Sequence, residues 1–366
     1  MKIISTSYTK TNEFSDPKIW LERISFYIGI LEALAKEHQV VSFERINYKG
    51  EFQQNGVQYS FIDIKKRRVL FPWRMHRIIK QLRPDVVLIN GLVFPLQVVQ
   101  LRWKLGRTVK IILIHRSEKP FNGLKKILQR FAGGCVNAYL FTSSEFGKQW
   151  IENGNIKDRN KIYEVMHGSS VFSPANKSVA RSKLSISGSP VFLWVGRLNS
   201  NKDPVTVVKA FIDFISFEPT AKLYMIYQTG ELLNEIKALI NSNEKAREAI
   251  RLVGQVPHQE LQPWYSSADF FISGSHYEGG GIALCEAMSC GCIPIVTDII
   301  SFRKMTGGSK CGLLFEPGNE SDLLQTLLKT KELNMEKERE KVLHQFNEEL
   351  SFEAIAGKIN KIINSQ

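Results

Sequence analysis

Along the chain, short apolar and β-branched runs alternate with longer segments whose apolar positions recur every three or four residues. Residues 2–7 read as a strand. Residues 17–38, with Ile19, Trp20, Ile24, Ile28, Leu31 and Leu34 at helical spacing, read as a helix, and residues 40–44 as a second strand. Further strands are expected at 85–90, 109–115 and 138–142, each separated from the next by a helical stretch. Such a βα series builds a parallel sheet with helices on its faces.

Between 171 and 190 the pattern lapses into Ser, Pro, Asn, Lys and Gly, and the buried-strand run Val191-Phe192-Leu193-Trp194-Val195 opens a second series. There the pattern predicts helices at 204–215, 231–240 and 259–266, and helices starting at 282 and 320. It predicts strands at 222–227, 251–254, 269–273, 293–297 and 312–315. A chain of 366 residues exceeds a single core. The expected division is an N-terminal Rossmann-like domain over 1–175, a linker over 176–190, a C-terminal Rossmann-like domain over 191–347, and a final helix over 348–366 packing back on the first domain. The fold class is therefore α/β, two doubly wound parallel-sheet domains facing a central cleft, with a ligand outside the carboxyl ends of the strands. Neither half contains GxGxxG or GxxxxGK[ST], which disfavours a dinucleotide dehydrogenase and a P-loop NTPase.

Composition adds less. The five cysteines are an odd set and look like no disulfide framework, which fits a reducing cytoplasm; Cys285, Cys290 and Cys292 lack a fourth ligand at zinc spacing. No signal peptide and no membrane span are read. Charge is more telling. Residues 61–130 hold 17 Lys and Arg against Asp63, Asp85 and Glu118, a net +14 against +13 for the whole chain. Basic groups interleave with bulky apolar ones at 65–80 (Lys65 to Arg68, then Phe71 and Trp73) and at 119–130 (Lys119, Phe121, Leu124, Lys125, Lys126, Arg130). An anionic membrane surface attracts that combination, a solvated helix face being the plain alternative; with no nucleic-acid-binding signature beside it, no nucleic acid partner is expected.

The candidate chemistry lies in residues 276–291, His-Tyr-Glu-Gly-Gly-Gly-Ile-Ala-Leu-Cys-Glu-Ala-Met-Ser-Cys-Gly. Gly279, Gly280 and Gly281 form a tight loop before a helix whose free amides and positive dipole end suit an anion. Glu278 stands at the loop and Glu286 two turns along the helix. Carboxylates beside an anion pocket do not bind phosphate; they accept hydrogen bonds from hydroxyls, as on two sugar rings either side of a diphosphate.

Together with Val195-Gly196-Arg197-Leu198-Asn199-Ser200-Asn201-Lys202-Asp203, with Leu252-Val253-Gly254-Gln255-Val256 and with Glu286-Ala287-Met288-Ser289-Cys290-Gly291, this stretch resembles the nucleotide-binding domain of retaining glycosyltransferases of family 4, which have the GT-B fold. The resemblance runs through most of 190–330. It implies that Arg197 and Lys202 clamp a diphosphate, that Glu286 holds ribose hydroxyls, and that Glu278 with Gly279 to Gly281 holds the transferred sugar. Gly196, Gly254, Val256, Ser275, Ile282 and Ala283 complete the implied donor site, and His115, at a strand end in the first half, is the implied donor contact from that side. Two departures touch the acceptor side. Glu164-Val165-Met166-His167-Gly168 replaces the family's proline-asparagine-glycine turn, and Thr6-Ser7-Tyr8-Thr9-Lys10-Thr11 stands where a glycine pair is usual.

The expected activity is transfer of a sugar from a nucleoside diphosphate sugar, with uridine diphosphate the most frequent leaving group in the family, to a glycan or lipid-linked acceptor hydroxyl. No cofactor and no metal are expected, since no Asp-x-Asp occurs and Arg197, Lys202 and the helix end would do a cation's work. A GT-B nucleotide-sugar epimerase and a non-catalytic, membrane-docking binder of nucleotide-sugar or glycan are the rivals. The cytoplasm, with peripheral attachment to the inner face of the plasma membrane, is the expected location.

Overall fold

The computed structural model describes residues 1–62 and 70–365. The basic run Lys65 to Arg68 lies outside the described residues. Two units emerge, Met1–Ser169 with Phe352–Gln366, and Ser170–Ser351.

Among the described residues the first unit carries eight strands: β1 (Lys2–Thr6), β2 (Gln39–Glu44), β3 (Gly50–Gln54), β4 (Val57–Phe61), β5 (Val86–Asn90), β6 (Lys110–Ile114), β7 (Ala138–Phe141) and β8 (Ile162–Glu164). Their order is β3-β4-β2-β1-β5-β6-β7-β8, parallel throughout except for β3 with β4. The apolar runs read from sequence are the central strands: Val86 to Ile89 and Ile111 to Ile114 are buried on both faces, as parallel strands under helices must be. The β3–β4 hairpin was not expected. Its turn is Asn55-Gly56, both at positive φ (47° and 82°), the conformation that suits a two-residue hairpin.

The helix expected at 17–38 is two helices, Pro17–Arg23 and Ser25–Ala35, divided at Ile24. Asp16 caps the first by accepting from Lys18 N and Ile19 N. In the second, Tyr27 is buried and its hydroxyl meets Ser5 Oγ at 2.7 Å and Asn90 Nδ2 at 2.8 Å. The final helix, Phe352–Ser365, packs on Ser25–Ala35, with the Phe352 ring filling the space a side chain at Gly29 would take.

The second unit carries β9 (Val191–Gly196), β10 (Lys222–Tyr227), β11 (Ile250–Gly254), β12 (Phe270–Ser273), β13 (Ile293–Thr297) and β14 (Leu313–Phe315) in the all-parallel order β11-β10-β9-β12-β13-β14. The chain starts in the middle, winds to one edge, returns and winds to the other. That is the doubly wound arrangement, and its winding direction reverses between β9 and β12.

Residues 176–190, expected to be a linker, are part of this unit. Asn176 caps a helix, Lys177–Leu184, by accepting from Val179 N, and the helix packs on Leu261–Ser267. Asp269 ties them: its carboxylate pairs with Lys177 Nζ and Arg181 Nη2, both at 2.7 Å, and accepts from Val191 N at 2.7 Å. Burial pushes the Asp269 pKa up, but Lys177, Val191 N–H and Arg181 together outweigh it and hold the group below its ordinary value. A depressed carboxylate stabilises the fold above its unfolded pKa, near 3.8, and that stability is lost as pH falls through the lower folded value. Asp269→Ala should therefore cost about 3 kcal/mol at neutral pH. For a unit of this size that is a Tm lower by roughly 6–12 °C. The difference from wild type should shrink below pH 4 in thermal melts; an unchanged Tm would remove the network from the account.

Candidate active site

Ligands bind outside the carboxyl ends of strands where winding reverses. In the second unit those ends are Gly196 of β9 and Ser273 of β12, and the segments that leave them are zipped together. After β9, Asn199 N donates to Arg197 O (2.8 Å) and Lys202 N to Asn199 Oδ1 (3.0 Å). Asp203, at φ 40°, then caps the helix Pro204–Phe214 by accepting from Thr206 N and Oγ1. After β12, His276 N donates to Asn201 O (2.8 Å) and Asn201 Nδ2 to Tyr277 O (3.1 Å). Gly274 is what allows this approach, because a Cβ there would lie 2.8 Å from Asp203 O.

Lys202 is thereby brought to Glu278, with which it forms an ion pair; both side chains are largely buried. Ser275 Oγ donates to the same carboxylate oxygen at 2.9 Å, and Ser275 is itself held by Thr297 Oγ1, which donates to its carbonyl. Arg197 is exposed and has no ion-pair partner among the described residues. One turn thus presents two cations, one steadied by a carboxylate and one open to an incoming anion.

Glu286 sits on the helix Ile282–Ser289 and is 5% exposed. Its carboxylate accepts from His258 Nε2 (2.7 Å) and Tyr265 OH (2.8 Å). Burial first, and then the Glu286 charge, pushes the Tyr265 hydroxyl well above its ordinary pKa, so it stays a donor. Gly281 begins the helix at φ 55°, and a Cβ there would meet Met305 Sδ at 2.9 Å. Gly279 and Gly280 precede it in the buried loop.

A cavity of about 410 Å³ lies here, within the range of small-molecule sites. Gly196, Arg197, Lys202, Val256, Ala283 and Glu286 line it. Glu278 and Ser275 lie outside this lining, and Glu278 adjoins it at Lys202, on the side where a group attached to a bound diphosphate would extend. Gly254 ends β11 at φ 91°, beside a register shift, and Ile282 opens the helix next to Ala283. Asn199, Gln228 and His258 also line the cavity and were not anticipated. A lone histidine four residues after Gly254 carries no signal; only the Glu286 contact marks it. The cysteines near this region are buried thiols, Cys290 pushed up to about 11 by burial.

In the first unit the winding reverses between β1 and β5, and a cavity of about 270 Å³ lies beyond them. The loop that lacks the glycine pair is fastened instead: Tyr8 is buried, its hydroxyl 2.9 Å from His76 Nε2, and Arg45 donates to its carbonyl. Thr6, Thr9, Glu44 and Arg45 face the cavity, with Arg116 and Glu118. Arg116 Nη1 donates to His167 O at 2.8 Å, so the altered turn at 164–168 is held by this wall.

His115 is 1% exposed. Its Nε2 lies 2.8 Å from Glu118 O, and its ring packs on Phe141, centroids 4.7 Å apart. Burial lowers its pKa and keeps it neutral. It fastens the Arg116–Glu118 turn, and a donor contact would require it to leave this packing.

Residues 176–349 match the family model described as glycosyl transferases group 1. A D-inositol 3-phosphate glycosyltransferase of Streptosporangium roseum is 25% identical over 169 residues, 43% of this chain and 38% of that protein. The chain thus spans well under half the length of that relative. The alpha-monoglucosyldiacylglycerol synthase of Acholeplasma laidlawii is 25% identical over 335 residues, 82% of this chain and 83% of that protein. The crystal structure of Anabaena HepE in complex with UDP superposes with a TM-score of 0.72 at 13% identity, covering 100% of both chains. At that identity the likeness carries the fold alone, which is GT-B. Over residues 176–349, just under half of the chain, the sequence is thus similar to the glycosyl transferases group 1 family.

Proposed function

We propose that the chain is a retaining, metal-independent glycosyltransferase of family 4, a hexosyltransferase that moves a sugar from a UDP-sugar to an acceptor hydroxyl. The observation that carries this reading is one cavity with Arg197 and Lys202 at the reversal point of the sheet and the buried Glu286 carboxylate in the same lining. A diphosphate requires the cations, and a ribose diol suits a carboxylate acceptor fixed by His258 and Tyr265. The UDP in the HepE complex supports the choice of base.

Breaking the sugar–phosphate bond places negative charge on the departing diphosphate. Cations already in position favour that state over the ground state, and Arg197 with Lys202 supplies them. In same-face attack the departing phosphate oxygen takes the acceptor proton, so Glu278 is not a nucleophile. It steadies Lys202 and accepts from sugar hydroxyls, with Ser275 orienting it. The first unit's cavity is the acceptor side in this reading, its mix of hydroxyls, two carboxylates and two guanidinium groups suiting a polyhydroxylated molecule. The name of the Acholeplasma relative supports a lipid acceptor, hence a role in cell-surface glycan or lipid-linked polysaccharide assembly, as a peripheral protein at the inner face of the plasma membrane.

The test is a panel of nucleoside diphosphates in thermal shift, followed by transfer with the best donor. UDP at 100 times its dissociation constant should stabilise by about 2.7 kcal/mol. The product should keep the donor's anomeric configuration, and chelator should leave the rate unchanged. An inverted product, or activity lost in chelator and restored by a divalent ion, would end this reading.

A further inference from the structure

We propose that the helix Gly123–Ala132, with Trp103 beside it, is a docking surface for an anionic lipid bilayer. The helix is turned inside out. Leu124, Ile127 and Phe131 are 84%, 65% and 69% exposed, while Gln129 is buried and its side-chain amide has no hydrogen-bond partner among the described residues. At 3.6 residues per turn the three apolar positions fall within roughly 60° of arc, a single stripe. Water favours the opposite orientation, apolar stripe inward and amide outward. A stripe facing outward is stable only against something apolar.

The charges say what that is. The helix carries Lys125, Lys126 and Arg130 and no acidic residue, and of these the exposed Lys125 and Arg130 flank the stripe on its two sides. It packs against the helix Pro95–Leu105, where Trp103 is 86% exposed. On the next helix in contact, Trp73–Gln81, the half-exposed Trp73 ring stacks on Phe71, centroids 6.1 Å apart. Residues 70–130 hold 13 Lys and Arg against only Asp85 and Glu118. Apolar and aromatic side chains ringed by Lys and Arg are what the headgroup and acyl boundary of an anionic leaflet accommodates. A second copy is the poorer occupant, since a two-fold contact through this helix would set its cations against each other with no acid on the helix to pair them. The inference stands on this surface and does not depend on the transferase reading.

Flotation of the full chain with phosphatidylcholine vesicles, with and without phosphatidylglycerol, tests it at low and high salt. Binding is expected only to the anionic vesicles, weakening with salt, with a blue shift of tryptophan emission that Trp103→Phe largely removes. The triple changes Leu124→Ser, Ile127→Ser, Phe131→Ser and Lys125→Gln, Lys126→Gln, Arg130→Gln should each lower binding at least about tenfold. Both should keep the wild-type Tm and UDP response, which separates a failed surface from a failed fold or donor site. Equal binding to neutral vesicles, or binding indifferent to both triples, would overturn the proposal. So would no binding at all, or a dimer in sedimentation that the serine triple dissolves.

Discussion

Arg197→Ala is expected to lower kcat by roughly 10²–10³, the loss found when one preorganised donor to a developing anion is removed. The geometry makes this a clean experiment. Arg197 is exposed and has no ion-pair partner among the described residues, so its removal leaves no buried charge stranded and should move Tm by less than about 2 °C. Its side chain is therefore free to answer to the ligand. Since the interaction strengthens as the diphosphate departs, kcat and kcat/KM should fall together while KM changes little. Arg197→Lys should recover only part of the rate, because an ammonium cannot reproduce the planar two-point contact with phosphate. An epimerase would lose its rate equally but release no transferred product, and a docking protein would keep its partner. A kcat within fivefold of wild type would show that the diphosphate is neutralised elsewhere.

What the sequence disclosed follows from what each feature depends on. Strands buried on both faces announce themselves as unbroken apolar runs, which is why β5, β6, β9 and β13 were legible within a residue or so. Strand β3, with alternate residues exposed and Glu and Gln through it, offers no such run; Asn55-Gly56 was its one readable mark. The helix Lys177–Leu184 has linker composition and is ordered by Asp269, some 90 residues away, a pairing no local pattern encodes. The site divides in the same way. Arg197 and Lys202 share one turn and Glu286 its own helix, so spacing alone could bring out the cations and the carboxylate. His258 and Tyr265, which hold Glu286, and Lys202, which pairs with Glu278, lie 21 to 76 residues away in sequence, and His115 turns inward where a strand-end histidine could as well turn outward. Periodicity marks the stripe on Gly123–Ala132 but is silent on which side faces water, and there the structure reverses the usual orientation.

Glu278→Gln is expected to split binding from catalysis in opposite directions. In the ligand-free protein Lys202 is committed to the Glu278 carboxylate, both side chains mostly shielded from solvent. A diphosphate entering the cavity must share that ammonium and approach a fixed negative charge, a repulsion worth about 1–2 kcal/mol at the effective dielectric of a partly buried site. Glutamine keeps the shape and the Ser275 contact but removes the charge, so UDP should bind roughly 5–30-fold more tightly by calorimetry. Transfer should nonetheless slow by about 10–100-fold, because the sugar hydroxyls lose a charge-assisted acceptor worth about 1.5–3 kcal/mol. Tighter product and slower turnover together would give stronger inhibition by UDP in the variant than in wild type. If UDP binding weakens along with the rate, Glu278 acts by holding Lys202 in position, and its part in gripping the sugar falls away. If neither quantity moves, the ion pair is incidental, and the anion site rests on Arg197 and the amides at the start of the helix Ile282–Ser289.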